Sequence, residues 1–290
     1  MDPQFISDPL IIRVTSLLLV LCLCAGGVFF FGYFLPGKIP LTLSRQTPLN
    51  FDLSAAEFLT ILAALLMASF SLDMAVTLAA FSPGFDWLRG SESARVLFQG
   101  SLFQLATIGL LVLFLHLKSP ANPVSAVVGL PPRQWLRQAG LGVFLMLVAW
   151  PFVAISAGLN YRLFQWLGGQ PELQRMVTLF LESRDPAFTV GIFLMATVMA
   201  PIWEEIFFRG ITYTALKKYL SPVGSLLISS LLFSILHDFS LQTLLPLWLL
   251  GMVFAFAYER TGSILVPIFM HATFNSLSMG FMLLYKFTHP

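Results

Sequence analysis

The sequence predicts an all-α fold: a polytopic membrane helix bundle of about eight transmembrane helices. Three observations carry this. Of 290 residues, 57% are hydrophobic and 10% charged, where a soluble domain carries about 25% charged residues. The apolar residues gather in runs of about 17 to 27, close to the ~20 needed to cross hydrocarbon as a helix. Pro, Gly or charge breaks most runs, as at Pro36-Gly37-Lys38, Ser82-Pro83-Gly84, Ser119-Pro120, Arg184-Asp185-Pro186, Ser221-Pro222 and Thr261-Gly262. No repeat divides the chain, so residues 1–290 read as a single membrane domain, with 184–284 holding the helices that carry chemistry.

In order, the predicted spans are 14–35, 55–81, 96–117, 138–159, 187–208, 223–239, 242–258 and 263–284. The first is long enough to be a retained helix rather than a signal core. It holds both cysteines, Cys22 and Cys24, which read as apolar filler, since two thiols form no disulfide framework. The Gly84–Arg95 connection has mixed charge and reads as solvated surface. The connection from Asn160 to Pro186 is the longest. In it Leu173, Met176, Val177 and Phe180 follow helical spacing, which predicts an amphipathic helix at the interface or packed on the bundle. Lysines and arginines divide about evenly between the two sides and set no orientation. A net charge of +2 gives no reason to expect nucleic acid. Asp73, Glu57, Gln104 and His116 are expected near interfaces or in helix contacts.

The unusual chemistry lies in the last third. Ionisable residues inside a membrane segment cost about 2.5–3.5 kcal/mol on insertion scales and are rare without a use or a partner. The first such element is Glu204-Glu205-Ile206-Phe207-Phe208-Arg209. The i,i+4 spacing lets Glu205 pair with Arg209, while Glu204, turned about 100° away, lacks that partner. Pro201 is expected to bend the helix just before them. The second element runs from Phe233 to His237, and the third places His271 and Asn275 on one helix face. Spans five and six form a hairpin about Leu220-Ser221-Pro222. Glu204 and His237 lie at about equal distances from that turn, roughly 23–24 Å, and hence level. Lys217 and Lys218 suggest a turn that protrudes beyond the bilayer. Composition and spacing alone leave hydrolysis, metal binding and proton-coupled transport open.

The ordered set Glu-Glu-x-x-x-Arg, Phe-x-x-x-His and His-x-x-x-Asn within hydrophobic helices resembles the CPBP family. That family groups type II CAAX prenyl endopeptidases with bacteriocin-processing and self-immunity membrane proteins. The resemblance covers about residues 200–278. It implies a metal-independent intramembrane glutamate protease, with no cofactor, acting on a membrane-associated or lipidated peptide or protein. By motif, Glu204 and His237 would activate water, and His271 and Asn275 would stabilise the oxyanion. Glu205 and Arg209 would support the site, with Phe233 packing against it. A bacterial plasma membrane is the expected location. A metal site built on Glu204, His237 and His271 is the nearest alternative, Glu/His/His ligation being suited to Zn²⁺. A non-enzymatic self-immunity protein or proton-coupled carrier is the alternative of another class.

Overall fold

A computed structural model describes residues 13–14, 16–17, 53–120, 134–170, 174–237 and 241–288. The expected first span, with Cys22 and Cys24, lies almost wholly outside them. Every other expected span is a helix. They are α1 (Ala55–Ala79), α3 (Glu92–Lys118), α4 (Trp135–Trp166), a composite helix over Pro186–Leu216, α9 (Pro222–His237), α10 (Leu241–Thr261) and α11 (Leu265–Thr288). No strand occurs among the described residues. Five helices are long and apolar enough to cross a membrane: α1, α3, α4, the composite helix and α10. The protein is an integral membrane protein.

Local chemistry sets the ends. Ser54 and Glu57 form a reciprocal capping box at the start of α1, and Glu57 also pairs with Lys118 at the end of α3. Ser91 caps α3 through Ala94 N–H. Asp185 caps the composite helix through Ala187 N–H at 2.9 Å, with Pro186 in the first turn, where its missing N–H costs nothing. Gly262, at φ +63°, turns α10 into α11.

Two expectations about connections change. The Gly84–Arg95 stretch is not simply solvated surface. It contains α2 (Asp86–Gly90), whose Leu88 is fully buried on α1 and α3, and the first turn of α3. Within the long connection, α4 continues to Trp166 and α5 (Arg175–Glu182) follows. Phe180 of α5 is buried among Phe188, Ile192, Met195 and Met279, so this amphipathic helix is packed on the bundle.

Helix α11 runs along α4, and α9 runs along α10. Small residues permit both approaches, as expected where lipid supplies no hydrophobic drive and close packing must hold helices together. A Cβ at Gly142 of α4 would sit 2.6 Å from the Val266 carbonyl oxygen and 2.8 Å from Phe269 Cβ. One at Gly251 of α10 would sit 3.0 Å from Ser230 Cβ. A further device recurs. Pro246 inside α10 has no N–H for the carbonyl four residues back, that of Gln242. Buried Asn160 of α4 reaches across and donates Nδ2–H to that oxygen at 2.6 Å.

Candidate active site

The composite helix is not uniform. It runs as α6 (Pro186–Leu194), π1 (Met195–Met199), α7 (Ala200–Glu205), π2 (Ile206–Tyr213) and α8 (Thr214–Leu216), the two π-helical segments flanking the six residues that end on the paired carboxylates. Such segments are rare in helices and gather at functional sites. Pro201 contributes to the first. In π1 the Ala200 N–H reaches the Met195 oxygen, five residues back. The next bond in that register would run from residue 201 to Ala196, and proline has no N–H to make it. Asn275 of α11 supplies the missing donor, its Nδ2 lying 2.6 Å from the Ala196 oxygen. Around Pro201 the chain forms a π turn whose orphaned carbonyl is capped from another helix.

All three sequence elements meet. Glu205 is fully buried. Its Oε1 accepts from Arg209 Nη1 at 3.0 Å, the expected i,i+4 pair, and from His271 Nδ1 at 2.9 Å. The second arm of Arg209 donates to the Gly251 carbonyl of α10 at 3.0 Å. The guanidinium also lies over the rings of Phe233 and Phe254, at 4.5 and 5.1 Å from their centroids. This Arg is thus held by a carboxylate, a carbonyl and two aromatic faces, which suits its planar, weakly hydrated cation.

Glu204 is not partnerless, as the sequence suggested. Its Oε2 lies 3.0 Å from His237 Nε2 and 3.8 Å from His271 Nε2. The partners come from other helices, which i,i+4 reasoning within one helix does not reach. The level placement of Glu204 and His237 in the hairpin holds. Phe233 is fully buried, its ring 4.1 Å from that of His237 and 5.8 Å from that of His271. The Glu204 side chain is 8% exposed and that of His271 3%, whereas His237 is 27% exposed. The cluster therefore opens toward its surroundings at His237, the last residue of α9.

Hydrogen bonding fixes both imidazole tautomers. The Phe233 carbonyl can only accept, so the 3.1 Å contact to His237 requires the proton on Nδ1. The Glu205 carboxylate makes the same demand of His271 Nδ1. Each ring then turns its Nε2 toward Glu204, as an acceptor when the ring is neutral and as a donor when it is protonated. The three donor atoms, one from each residue, lie within 4.8 Å of one another. Such a cluster can share a proton, hold water or hold a cation.

Asn275 sits one turn beyond His271. Among the described residues its side chain bonds to the Ala196 carbonyl rather than into the Glu204 cluster. Sequence reasoning missed Phe254, stacked on His271 at 5.1 Å, and the Gly251 carbonyl. A backbone oxygen leaves no mark in sequence, and one Phe among 29 is not distinctive.

This fold and cluster define a polytopic helical membrane protein with a buried glutamate–histidine centre. Residues 186–277 match the family described as type II CAAX prenyl endopeptidase Rce1-like, in agreement with the resemblance drawn from the motifs. The chain is similar to the Bacillus subtilis protein YdiL, whose name describes it as a candidate membrane peptidase. Identity there is 41% over 83 residues, 29% of this chain and 34% of that one. It is 26% identical over 208 residues to the membrane-embedded CAAX protease MroQ of Staphylococcus aureus, covering 68% of this chain and 76% of MroQ. An uncharacterized 24.3 kDa protein of Escherichia coli is 32% identical over 111 residues, 37% of this chain and 50% of its own length. The aligned region thus spans about a third of the first of these relatives and half of the last. No solved structure matches.

Proposed function

We propose that this protein is an intramembrane endopeptidase that cleaves a membrane-associated or lipidated peptide, with Glu204 and His237 as the water-activating pair. The observation that carries the reading is the buried Glu204 carboxylate 3.0 Å from His237 Nε2, within the segment that matches a CAAX endopeptidase family. Two basic atoms this close, with little water around them, are arranged to take a proton from a third molecule. Water entering at the exposed edge of His237 gives up a proton to the pair. Its oxygen forms a bond to the scissile carbonyl carbon, and the carbonyl electrons move onto oxygen. When the C–N bond breaks, the pair returns the proton to the departing amine, leaving a carboxylic acid and an amine. The Asn275 amide has a second hydrogen beyond the one on Ala196, and His271, with Nδ1–H held by Glu205, faces the cluster through Nε2, which donates once it too carries a proton; both are assigned to the oxyanion. Losing one such donor typically costs about 10²–10³ in rate. Glu205 and Arg209 hold His271 in its tautomer. The bacterial relatives favour a bacterial plasma membrane as the location.

One observation favours a second reading. Both imidazoles anchor Nδ1 on an acceptor and present Nε2, the arrangement in which an outer carboxylate or carbonyl orients a metal-binding histidine. With Glu204, that donor set suits Zn²⁺. The test is cleavage of a peptide library by purified protein, with and without exhaustive chelation. Full activity after chelation is the outcome expected here. Loss on chelation, restored by Zn²⁺ alone, would replace the glutamate mechanism by the metal one. No cleavage under any condition would remove the peptidase reading.

A further inference from the structure

A second buried polar cluster lies at the far end of π2. Lys217 Nζ is 2.9 and 2.8 Å from the two carboxylate oxygens of Glu259 on α10, and both side chains are 1% exposed. Tyr213, the last residue of π2, donates its hydroxyl to the same carboxylate at 2.9 Å. The sequence placed Lys217 near a turn expected to protrude beyond the bilayer; its amine lies against α10, where Glu259 gives its charge a partner inside the protein.

The register of these contacts is informative. Arg209 reaches Gly251 and Lys217 reaches Glu259, each pair 42 residues apart in sequence. The two links therefore run along one seam between parallel stretches of helix. The second half of π2, from Gly210 to Tyr213, lies between them. A buried ion pair is weak evidence for stability, since apolar replacements of both partners often do as well; its best-attested use is to fix a register. π-helical turns are rare and usually single, so a segment of eight such residues needs its ends held if it is not to tighten into α geometry. Tightening would turn its two ends relative to one another. We infer that the Lys217–Glu259–Tyr213 cluster is a positioning clamp: it holds the register of π2, and so sets Arg209 on Glu205 and Glu205 on His271. Its effect on turnover rests on the peptidase reading; its effect on His271 does not.

The experiment compares the parent with the Lys217→Met/Glu259→Gln double variant, which removes both charges together and leaves neither stranded. The readouts are melting temperature, kcat and KM on a cleaved peptide, and the ¹⁵N imidazole signals of His271. The clamp requires that the folded double variant lose the Nδ1–H signature of a carboxylate-bonded His271. With it, kcat falls by about 10²-fold, as for a misplacement on the order of 1 Å, while KM stays within about twofold. Tyr213→Phe shifts the same signals less, and supplies the reading should the double variant fail to fold. Lys217→Arg, which keeps the charge, restores much of the parent behaviour. A folded variant with unchanged His271 signals and unchanged kcat would make the cluster a brace only and overturn the inference. If the parent cleaves nothing, the peptidase reading falls and the His271 signals alone decide the clamp.

Discussion

Glu204 and Glu205 are neighbours in one helix and face opposite circumstances. Glu205 has no exposure and strong partners: a guanidinium from its own helix and an imidazole N–H from α11. Glu204 has no arginine or lysine contact among the described residues and faces two imidazole nitrogens near an opening. One carboxylate is compensated and fixed, the other is left chemically available. A charge that is fully paired serves the architecture, and one paired only with titratable groups can exchange a proton. Adjacent identical side chains are thus divided by the helix period: both meet His271 of α11, but Glu205 is turned onto Arg209 of its own helix and Glu204 onto His237 of α9.

The largest expected effect tests the compensated side. Arg209→Ala strands Glu205 as a buried carboxylate with only His271 beside it; breaking such a pair costs about 3–5 kcal/mol. Folding yield and melting temperature in detergent should both fall. Arg209→Lys should recover part of the loss, since Lys lacks the planar fork that spans Glu205 and Gly251. A normal melting temperature for Arg209→Ala would erase the distinction between the two glutamates.

The available side is tested by Glu204→Gln. Size and hydrogen-bonding capacity are kept and the base is removed, so turnover should drop at least about 10²-fold. The melting temperature should hold or rise slightly, because a neutral amide is cheaper to bury. Both quantities are to be measured on one purified sample. Activity within a few-fold of the parent would take Glu204 out of the chemistry. A smaller effect tests the frame that carries the His271 side of the cluster. Gly142→Ala forces a methyl group into the Val266 backbone oxygen and should cost about 1–3 kcal/mol through overpacking, with kcat per folded molecule retained. The smallest effect lies far from both carboxylates. Asp73→Ala removes the 2.7 Å bond from Gln99 on α3 to exposed Asp73 on α1. It should change stability by about 0.6 kcal/mol, the average for contacts between membrane helices, and leave activity unchanged.

Much of this was legible in the sequence. The helices outside residue 14–35 appear where apolar length and breakers put them. The Glu204–His237 meeting follows from counting residues to a hairpin turn. Glu205–Arg209 follows from helical spacing. What was not legible depends on backbone atoms and on helices distant in sequence. Nothing in the letters marks the Gly251 oxygen as the second seat of Arg209, nor Glu259 as the partner of Lys217. The π segments are invisible for the same reason, being defined by which carbonyl an N–H reaches. Their trace is Pro201, read as a bend because a proline announces a lost bond without saying what replaces it.

That replacement has a genetic consequence. Proline at 201 and asparagine at 275 form one functional allele spread over two helices: the first opens a debt of one hydrogen bond and the second settles it. Pro246 and Asn160 form another across a different pair of helices. In each pair, mutating the asparagine alone exposes an unmet carbonyl; restoring an N–H at 201 would release Asn275 from that duty, whereas Asn160 would keep a second bond to the Leu241 carbonyl at 3.0 Å. The effect of a substitution at the asparagine therefore depends on what stands at the proline position. For Asn275 that coupling concerns the helix alone, so the double replacement at 201 and 275 tests its proposed oxyanion role apart from its bond to the Ala196 carbonyl.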